Sequence, residues 1–259
     1  MASRIQHLFL VLILFTLIPV LAHAATFYPT NADDFQTALT QAAQSAENDI
    51  INLPQGILNI SQTLYYPVPI GGAPGSLTIL GPSPTNQTVL DGGGTCTLLN
   101  LDYWYNSNTF NDIGTTLTIS NISFQNGNYP ETGYQTYTGG AYIQVNYANV
   151  VIEDCEFFSN QTSAGGAGGL YVATDHPGSV TLTGCTFSYN RAYGYYESAG
   201  GATIDTVGSV TVTGCSFYGN TLYEADDYDG AGGLYLYSSS GNVNVSDNTF
   251  TGNLAEDAY

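Results

Sequence analysis

A short phrase, Phe-x-x-Asn, recurs in the second half of the chain and constrains the fold more than any other feature of the sequence. The four copies begin at Phe157, Phe187, Phe217 and Phe250. Successive copies are 30, 30 and 33 residues apart, and a degenerate copy lies around Phe124 and Asn126. A fixed period of this length is typical of repeat architectures, in which each copy forms one unit of a stack.

Between these phrases, apolar and polar residues alternate. The clearest runs are Val180–Thr183, Val210–Thr213 and Val243–Ser246. Alternation with a period of two indicates half-buried strands, and the repeat region shows no sustained helical spacing that would supply crossover helices. Similar strands without crossover helices can pair by winding the chain into a coil and stacking each turn on the last. The sequence therefore predicts an all-β fold, a parallel β-helix or solenoid.

Equivalent positions in successive turns predict three ladders inside this coil. Cys155, Cys185 and Cys215 each stand two residues before a recurrent Phe. Neighbouring turns lie about 4.8 Å apart, so the thiols, the Phe rings and the Asn side chains should each form a column. The Asn column is expected at a bend, where its amides can bind backbone groups of a neighbouring turn. Free thiols are favoured over disulfides because side chains of in-register parallel neighbours point in parallel directions.

The N-terminus is predicted to be a secretory signal over residues 1–24. It contains Arg4, an apolar run from Leu8 to Leu21, and the small-x-small sequence Ala22-His23-Ala24. The run is short for a membrane span and polar sequence follows it, so we expect its removal and no transmembrane segment in the mature chain. An extracellular or cell-surface location follows from this prediction.

Residues 25–56 are predicted to form a short capping helix and a first strand, and residues 57–259 the β-helix repeats. Thr30 or Asn31 can cap the helix, with Asp33 and Asp34 in its first turn. Its apolar face would consist of Phe35, Leu39, Ala42, Ala43 and Ala46. This face should cover the open first turn of the solenoid. The last repeat stops where another strand is expected, so either another protein covers this turn or the chain is truncated at its C-terminus, and we favour truncation.

The charge is strongly one-sided. The chain has 21 acidic residues against two basic ones, and its formal net charge is −19. This composition excludes nucleic acid as a primary partner, because binding the phosphate backbone draws on Lys and Arg. Carboxylates are also the natural ligands of Ca²⁺, and the acidic loop after Tyr223 offers four of them. The candidate Ca²⁺ ligands are Glu224, Asp226, Asp227 and Asp229. No other cofactor is expected.

Tyrosines and carboxylates also gather in the variable loops that join each Asn to the next Gly-Gly pair. Because these loops leave equivalent corners, stacking should bring them to one edge of the rod. Aromatic faces beside acceptor oxygens suit recognition of carbohydrate, or of a host or neighbouring-cell surface protein. The alternative is a solvated edge without a ligand. The candidate binding residues are Tyr134, Tyr137, Tyr193, Tyr195, Tyr196, Glu197 and Tyr223.

Several of these features resemble exported bacterial right-handed β-helix proteins. They are the opening run from Phe35, Asn52–Gly56, Leu90–Gly94, and the alternating Gly-Gly and Phe-x-x-Asn phrases. The repeats are similar to those of the chlamydial polymorphic outer membrane proteins. This resemblance implies a right-handed coil in a secreted or surface-displayed, outer-membrane-associated passenger that serves in adhesion or as a structural stalk.

The competing class is polysaccharide lyases and glycoside hydrolases, which share the right-handed β-helix, and fold alone does not separate the two. A lyase needs a strong base, and beyond the predicted signal Arg191 is the only Lys or Arg. A hydrolase needs paired carboxylates, for which Glu153, Asp154 and Asp205 are the candidates on strand-like segments. His176 precedes Pro-Gly, which is typical of a surface turn. We therefore expect a recognition or structural module rather than an enzyme.

Overall fold

The computed structural model describes residues 23–67, 74–102, 113–130, 136–163, 165–193, 198–223 and 230–256. In these ranges the chain forms one helix, Ala32–Ala43, and strands that belong to five sheets. Within the repeats, each turn of the chain visits the five sheets in the same order before it returns to the first. We number the sheets in that order and call one such turn a coil.

The first two sheets are the longest. The strands of the first sheet are Thr26–Phe27, Asp49–Asn52, Leu77–Leu80, Thr116–Ser120, Asn149–Glu153, Val180–Thr183, Val210–Thr213 and Val243–Ser246. Those of the second sheet are Gly56–Asn59, Thr88–Asp91, Ile122–Gln125, Glu156–Phe158, Thr186–Ser188, Ser216–Tyr218 and Thr249–Thr251.

The remaining three sheets complete each coil. The third sheet contains Asn128–Tyr129, Gln161–Thr162, Arg191–Tyr193, Thr221–Tyr223 and Leu254–Glu256. The fourth contains Thr136–Thr138, Gly165–Ala167, Ser198–Ala199 and Gly230–Ala231. The fifth contains Leu64–Tyr65, Leu99–Asp102, Ala141–Val145, Leu170–Thr174, Ala202–Thr206 and Leu234–Ser238.

All described strand pairs are parallel, and the repeats stack in register. In the first sheet Val180 pairs with Val210, which pairs with Val243. In the second sheet Phe157, Phe187 and Phe217 pair in the same way. The three alternating runs identified in the sequence are strands with the predicted bounds. The predicted parallel β-helix is therefore confirmed.

The recurrent Phe residues form the predicted column inside the coil. Rings of successive coils are stacked with centroids 4.7–4.8 Å apart and with planes within 3° of parallel. This separation equals the spacing between neighbouring strands of a sheet, so each ring packs directly on the next. Phe124, Phe157, Phe187 and Phe217 are fully buried, whereas Phe250 in the last described coil is half exposed.

The recurrent Asn residues form the second predicted column, at the bend between the second and third sheets. The Asn190 Nδ2 donates to the Phe157 carbonyl at 2.8 Å and to the Asn220 Oδ1 at 2.9 Å. Its Oδ1 accepts from the backbone N–H and the side-chain amide of Asn160. Each Asn thus binds the backbone of the preceding coil and the next Asn in the column. Because Asn160, Asn190 and Asn220 are fully buried, this network holds every bend in one geometry.

The degenerate copy near Phe124 has a different register from the one that its sequence suggests. Gly127, not Asn126, occupies the column position, and its N–H donates to the Asn160 Oδ1 at 2.8 Å. Asn126 instead takes the preceding bend position, with a φ of 54°. The residues at this bend in the five coils are Asn126, Ser159, Tyr189, Gly219 and Gly252, with φ between 54° and 63°.

The N-terminal helix begins as predicted, with Asn31 as its cap. The Asn31 Oδ1 accepts from the Asp34 N–H at 2.9 Å. Phe35, Leu39, Ala42 and Ala43 are buried, but the prediction for Ala46 is wrong. The helix ends at Ala43 and Ala46 is exposed, because the chain already turns toward the strand Asp49–Asn52. No helix in the described ranges is long and apolar enough to cross a membrane.

The helix also protects the free edge of the fifth sheet. Leu64–Tyr65 is the outermost strand of that sheet, so among the described strands it has a neighbour on one side only. The Gln36 Nε2 donates to the Tyr65 carbonyl, and the Gln36 Oε1 accepts from the Tyr65 N–H, both at 2.8 Å. The side-chain amide therefore replaces one peptide unit of a missing strand, which blunts an edge that could otherwise pair with another chain.

Candidate functional site

The thiol column lies inside the coil and has a structural role. All four cysteines are free, as predicted, and Cys155, Cys185 and Cys215 are buried. The Cys155 Sγ donates to the Glu153 carbonyl at 3.3 Å. Burial raises the pKa of Cys155 to about 12, so the reactive thiolate form is suppressed.

Two of the predicted binding residues meet on the outer surface of the third sheet. Tyr193 and Tyr223 occupy paired positions on successive coils, and their rings are stacked with centroids 4.9 Å apart and planes 18° from parallel. Ala192 and Leu222, the residues just before them, are buried inside the coil. The strand alternation therefore fixes both tyrosines on the outside, and 39% of Tyr193 is exposed.

The other predicted binding and metal-ligating residues are not brought into this stack by the described part of the chain. Tyr137 belongs to the strand Thr136–Thr138, and its side chain is outside the description. The residues that lie wholly outside the described ranges are Tyr134, Tyr195, Tyr196, Glu197, Glu224, Asp226, Asp227 and Asp229. They remain predictions. In sequence, the loops that hold most of them follow directly on Tyr193 and Tyr223.

Three further aromatic residues on the outer surface were missed by sequence reasoning. Phe158 and Tyr218 hold the same position of the second sheet, two coils apart, with Ser188 between them. Tyr189 follows Ser188 at the bend, and its ring lies 6.1 Å from that of Phe158 and 5.1 Å from that of Tyr218. The ring planes meet at 90° and 89°. We call Phe158, Tyr189 and Tyr218 the aromatic corner.

The aromatic corner depends on an unusual backbone conformation. Tyr189 has a φ of 56°, in the left-handed region that Gly and Asn adopt readily and bulky residues rarely enter. An added Cβ at Gly219, the equivalent residue of the next coil, would lie 3.1 Å from the Tyr189 ring. A hydrogen bond with the Tyr218 hydroxyl raises the pKa of Tyr189. The Gly that precedes Asn220 and Asn253 was the sequence signal for this bend. The signal was missed because Tyr189 replaces Gly before Asn190.

The candidate catalytic residues are dispersed in the structure. Glu153 ends a strand of the first sheet and Asp154 follows at an exposed bend, whereas Asp205 belongs to the fifth sheet. Within the described ranges, no group of three or more His, Cys, Asp or Glu residues could hold a metal ion. Arg191 is exposed on the third sheet. His176 stacks on Tyr147 with ring centroids 4.1 Å apart, at the turn between the fifth and first sheets.

The arrangement is thus a stack of parallel coils with aromatic residues on the outer surface of its second and third sheets. Comparison with curated proteins and with solved structures gave no match. A family model described as a right-handed beta helix region matches residues 83–250. The matched segment contains the thiol column, the two tyrosines of the third sheet and the aromatic corner. With more than half of its length matched and with strands stacked in register, the chain belongs to the right-handed β-helix family.

Proposed function

We propose that this protein is a secreted or surface-displayed recognition module that binds carbohydrate at the Tyr193–Tyr223 stack. The observation that carries the proposal is the stack itself, two partly exposed rings 4.9 Å apart on paired strands. Tyrosine faces pack against the apolar faces of sugar rings, and tyrosine hydroxyls supply hydrogen bonds.

The rigidity of the third sheet supports this role. Arg191–Tyr193 pairs with Thr221–Tyr223 in register, and each strand is anchored by a buried Asn immediately before it. Side chains on paired strands keep their relative positions, so binding a ligand would cost little conformational freedom. In the preceding coil, the residue that follows Thr162, the partner of Ala192, is the small Ser163 rather than another large side chain.

The charge of the chain indicates which saccharides fit. A net charge of −19 repels anionic polymers, and one exposed arginine does not offset that field. The proposal is therefore directed to neutral glycans. Display outside the cell is supported by the predicted signal over residues 1–24 and by the resemblance to exported β-helix passengers. The outer-membrane association that this resemblance implies is part of the proposal.

A glycan array tests the proposal most simply. Mature protein should bind a set of neutral glycans, and the double variant Tyr193→Ala/Tyr223→Ala should lose that binding while its thermal unfolding is unchanged. Tyr237→Ala is the control, because Tyr237 is an exposed tyrosine on the fifth sheet. Equal binding by wild type and double variant would refute the site. New reducing ends or unsaturated products from incubated polysaccharide would favour the enzyme alternative.

A further inference from the structure

The aromatic corner is separate from the proposed glycan site and has its own chemistry. Its central ring, Tyr189, is flanked by two rings that stand at 90° and 89° to it. In the angle between two perpendicular rings, a ligand can contact the face of each ring. The partial negative charge of these faces attracts cations. The exposed fractions of Tyr189 and Tyr218 are 49% and 44%, so this surface is open to a ligand.

The backbone at Tyr189 indicates that this ring is not placed for stability. The equivalent bend residues of the following coils are Gly219 and Gly252, which adopt a positive φ without a side chain to hinder it. Tyr189 adopts nearly the same φ with a large side chain, in a conformation that is unfavourable for it. Strain of this kind at an exposed aromatic residue is typical of functional surfaces.

Charge selects the sign of the ligand. Glu156 lies two residues before Phe158 on the same strand, and its Oε2 accepts from the Ser123 hydroxyl at 2.6 Å. This contact and a second one from Gln125 hold the carboxylate on the outer face of the second sheet. The chain as a whole carries a net charge of −19 and concentrates cations at its surface.

We propose that the aromatic corner of Phe158, Tyr189 and Tyr218 binds the guanidinium or ammonium group of an Arg or Lys side chain on a basic partner protein. The cation would lie against the perpendicular rings, and Glu156, two residues before Phe158 on the same strand, adds a carboxylate to the same sheet. This site does not rest on the proposed glycan binding, because it uses a different sheet position and a ligand of different chemistry.

Arg191 distinguishes this proposal from its strongest competitor. It is exposed on the third sheet, two residues after Tyr189, and is the only Lys or Arg in the described ranges. A cationic ligand is repelled by Arg191, so Arg191→Gln should strengthen binding. An acidic glycan would instead use Arg191 as its charge partner, and the same substitution would weaken its binding.

The test uses a short peptide of alternating Arg and Gly and the same peptide with citrulline, which is uncharged, in place of Arg. Both are titrated into the mature protein at physiological salt, and the Tyr aromatic resonances are followed by NMR. We expect the Arg peptide to bind roughly two- to fivefold more tightly than the citrulline peptide, as for cation–π contacts at exposed sites. Tyr189→Gly should reduce that preference to the part that the net charge of the chain supplies, whereas the control Tyr237→Leu should retain it in full.

Equal binding of the two peptides would overturn the proposal, as would an unchanged preference in Tyr189→Gly. Thermal unfolding of each variant verifies that it is folded, and glycine is suited to the backbone at residue 189. An oligosaccharide of uronic acids is titrated in parallel. If it binds and loses affinity in Arg191→Gln, the corner belongs to an acidic glycan and the proposal is wrong. The Tyr193→Ala/Tyr223→Ala variant should keep the peptide preference, so the two sites can fail independently.

Discussion

Tyr189 and Asn190 are neighbours in the chain, yet they belong to two different regions of the molecule. Asn190 is fully buried and binds two adjacent coils through both atoms of its amide. Tyr189 is exposed and holds an unfavourable backbone conformation beside two other aromatic rings. The inner position holds an Asn with the same role in several successive coils, whereas the outer position holds an aromatic residue in one coil only. In this β-helix the buried columns determine the fold, and the outer positions are free to carry recognition.

The same contrast appears along the column. From Asn160 onward the residues in line with Asn190 are Asn160, Asn220 and Asn253, and only the coil before them has a different residue, Gly127, at this inner position. Those in line with Tyr189 are Asn126, Ser159, Gly219 and Gly252, which share their positive φ but not their residue type. Repetition inside and variation outside are what a stack of coils allows, because each coil must match its neighbours only where the two meet.

The Phe column should show the largest effect of a buried residue. Phe187→Ala removes a fully buried ring that is stacked on both sides, and we expect it to lower the free energy of unfolding by about 4 kcal/mol. Phe250→Ala is the matched control, because Phe250 is half exposed and has one described ring neighbour. Its cost should be less than half as large. Equal losses in denaturant titrations would contradict the view that stacking inside the coil carries the stability.

Substitutions in the Asn column should cause the second-largest loss in the free energy of unfolding. Asn190→Ala removes the side chain that donates to the Phe157 carbonyl and accepts from the backbone N–H of Asn160, both in a buried place, which should cost about 3 kcal/mol. Asn253→Ala offers the comparison, because Asn253 is only partly buried and water can replace part of its contacts. If Asn253→Ala proved as costly as Asn190→Ala in chemical denaturation, burial would not be the source of the effect.

The burial of the thiol column predicts that the free energy of unfolding falls at high pH. The pKa of Cys155 is raised by burial from its ordinary value of 9.0 to about 12, so the unfolded chain releases this proton first. The stabilising contribution is complete below about pH 9 and is lost as pH rises toward 12, by roughly 2 kcal/mol near pH 10.5. Comparing wild type with Cys155→Val across this range cancels the titration of the tyrosines. If the difference in the free energy of unfolding between wild type and Cys155→Val did not change with pH, burial would not raise the pKa of the Cys155 thiol as described.

A smaller effect is expected at the N-terminal end, where Gln36 binds the strand edge as the inner Asn residues bind the bends. Gln36→Leu removes both hydrogen bonds to Tyr65, but the site is partly buried and water can reach it. We expect a loss of about 1 kcal/mol in the free energy of unfolding, together with more self-association. Sedimentation velocity measures the second effect. If Gln36→Leu lowered the free energy of unfolding as much as Asn190→Ala does, the Gln36 contact would be as important for stability as the buried Asn column, contrary to our expectation.

The inner columns could be predicted from the sequence because their residue types repeat with the period of the fold. Val180–Thr183 and Phe187 are read directly from alternation and spacing, and the structure places them as predicted. The aromatic corner could not be found in this way, because the residues equivalent to Tyr189 in the other coils are Asn, Ser or Gly, so no aromatic residue repeats at this position. Tyr193 and Tyr223 were found because they share a loop composition, although their stacking required the register of the third sheet.

The most direct test of the account is the free energy of unfolding of Tyr189→Gly, measured beside that of Asn190→Ala. Glycine accepts the positive φ at residue 189, so the loss of ring contacts should be offset and the result should lie within about 1 kcal/mol of wild type. Asn190→Ala should be strongly destabilised under the same conditions. A loss of stability in Tyr189→Gly comparable to that of Asn190→Ala would contradict the division between a buried frame and an outer surface kept for recognition.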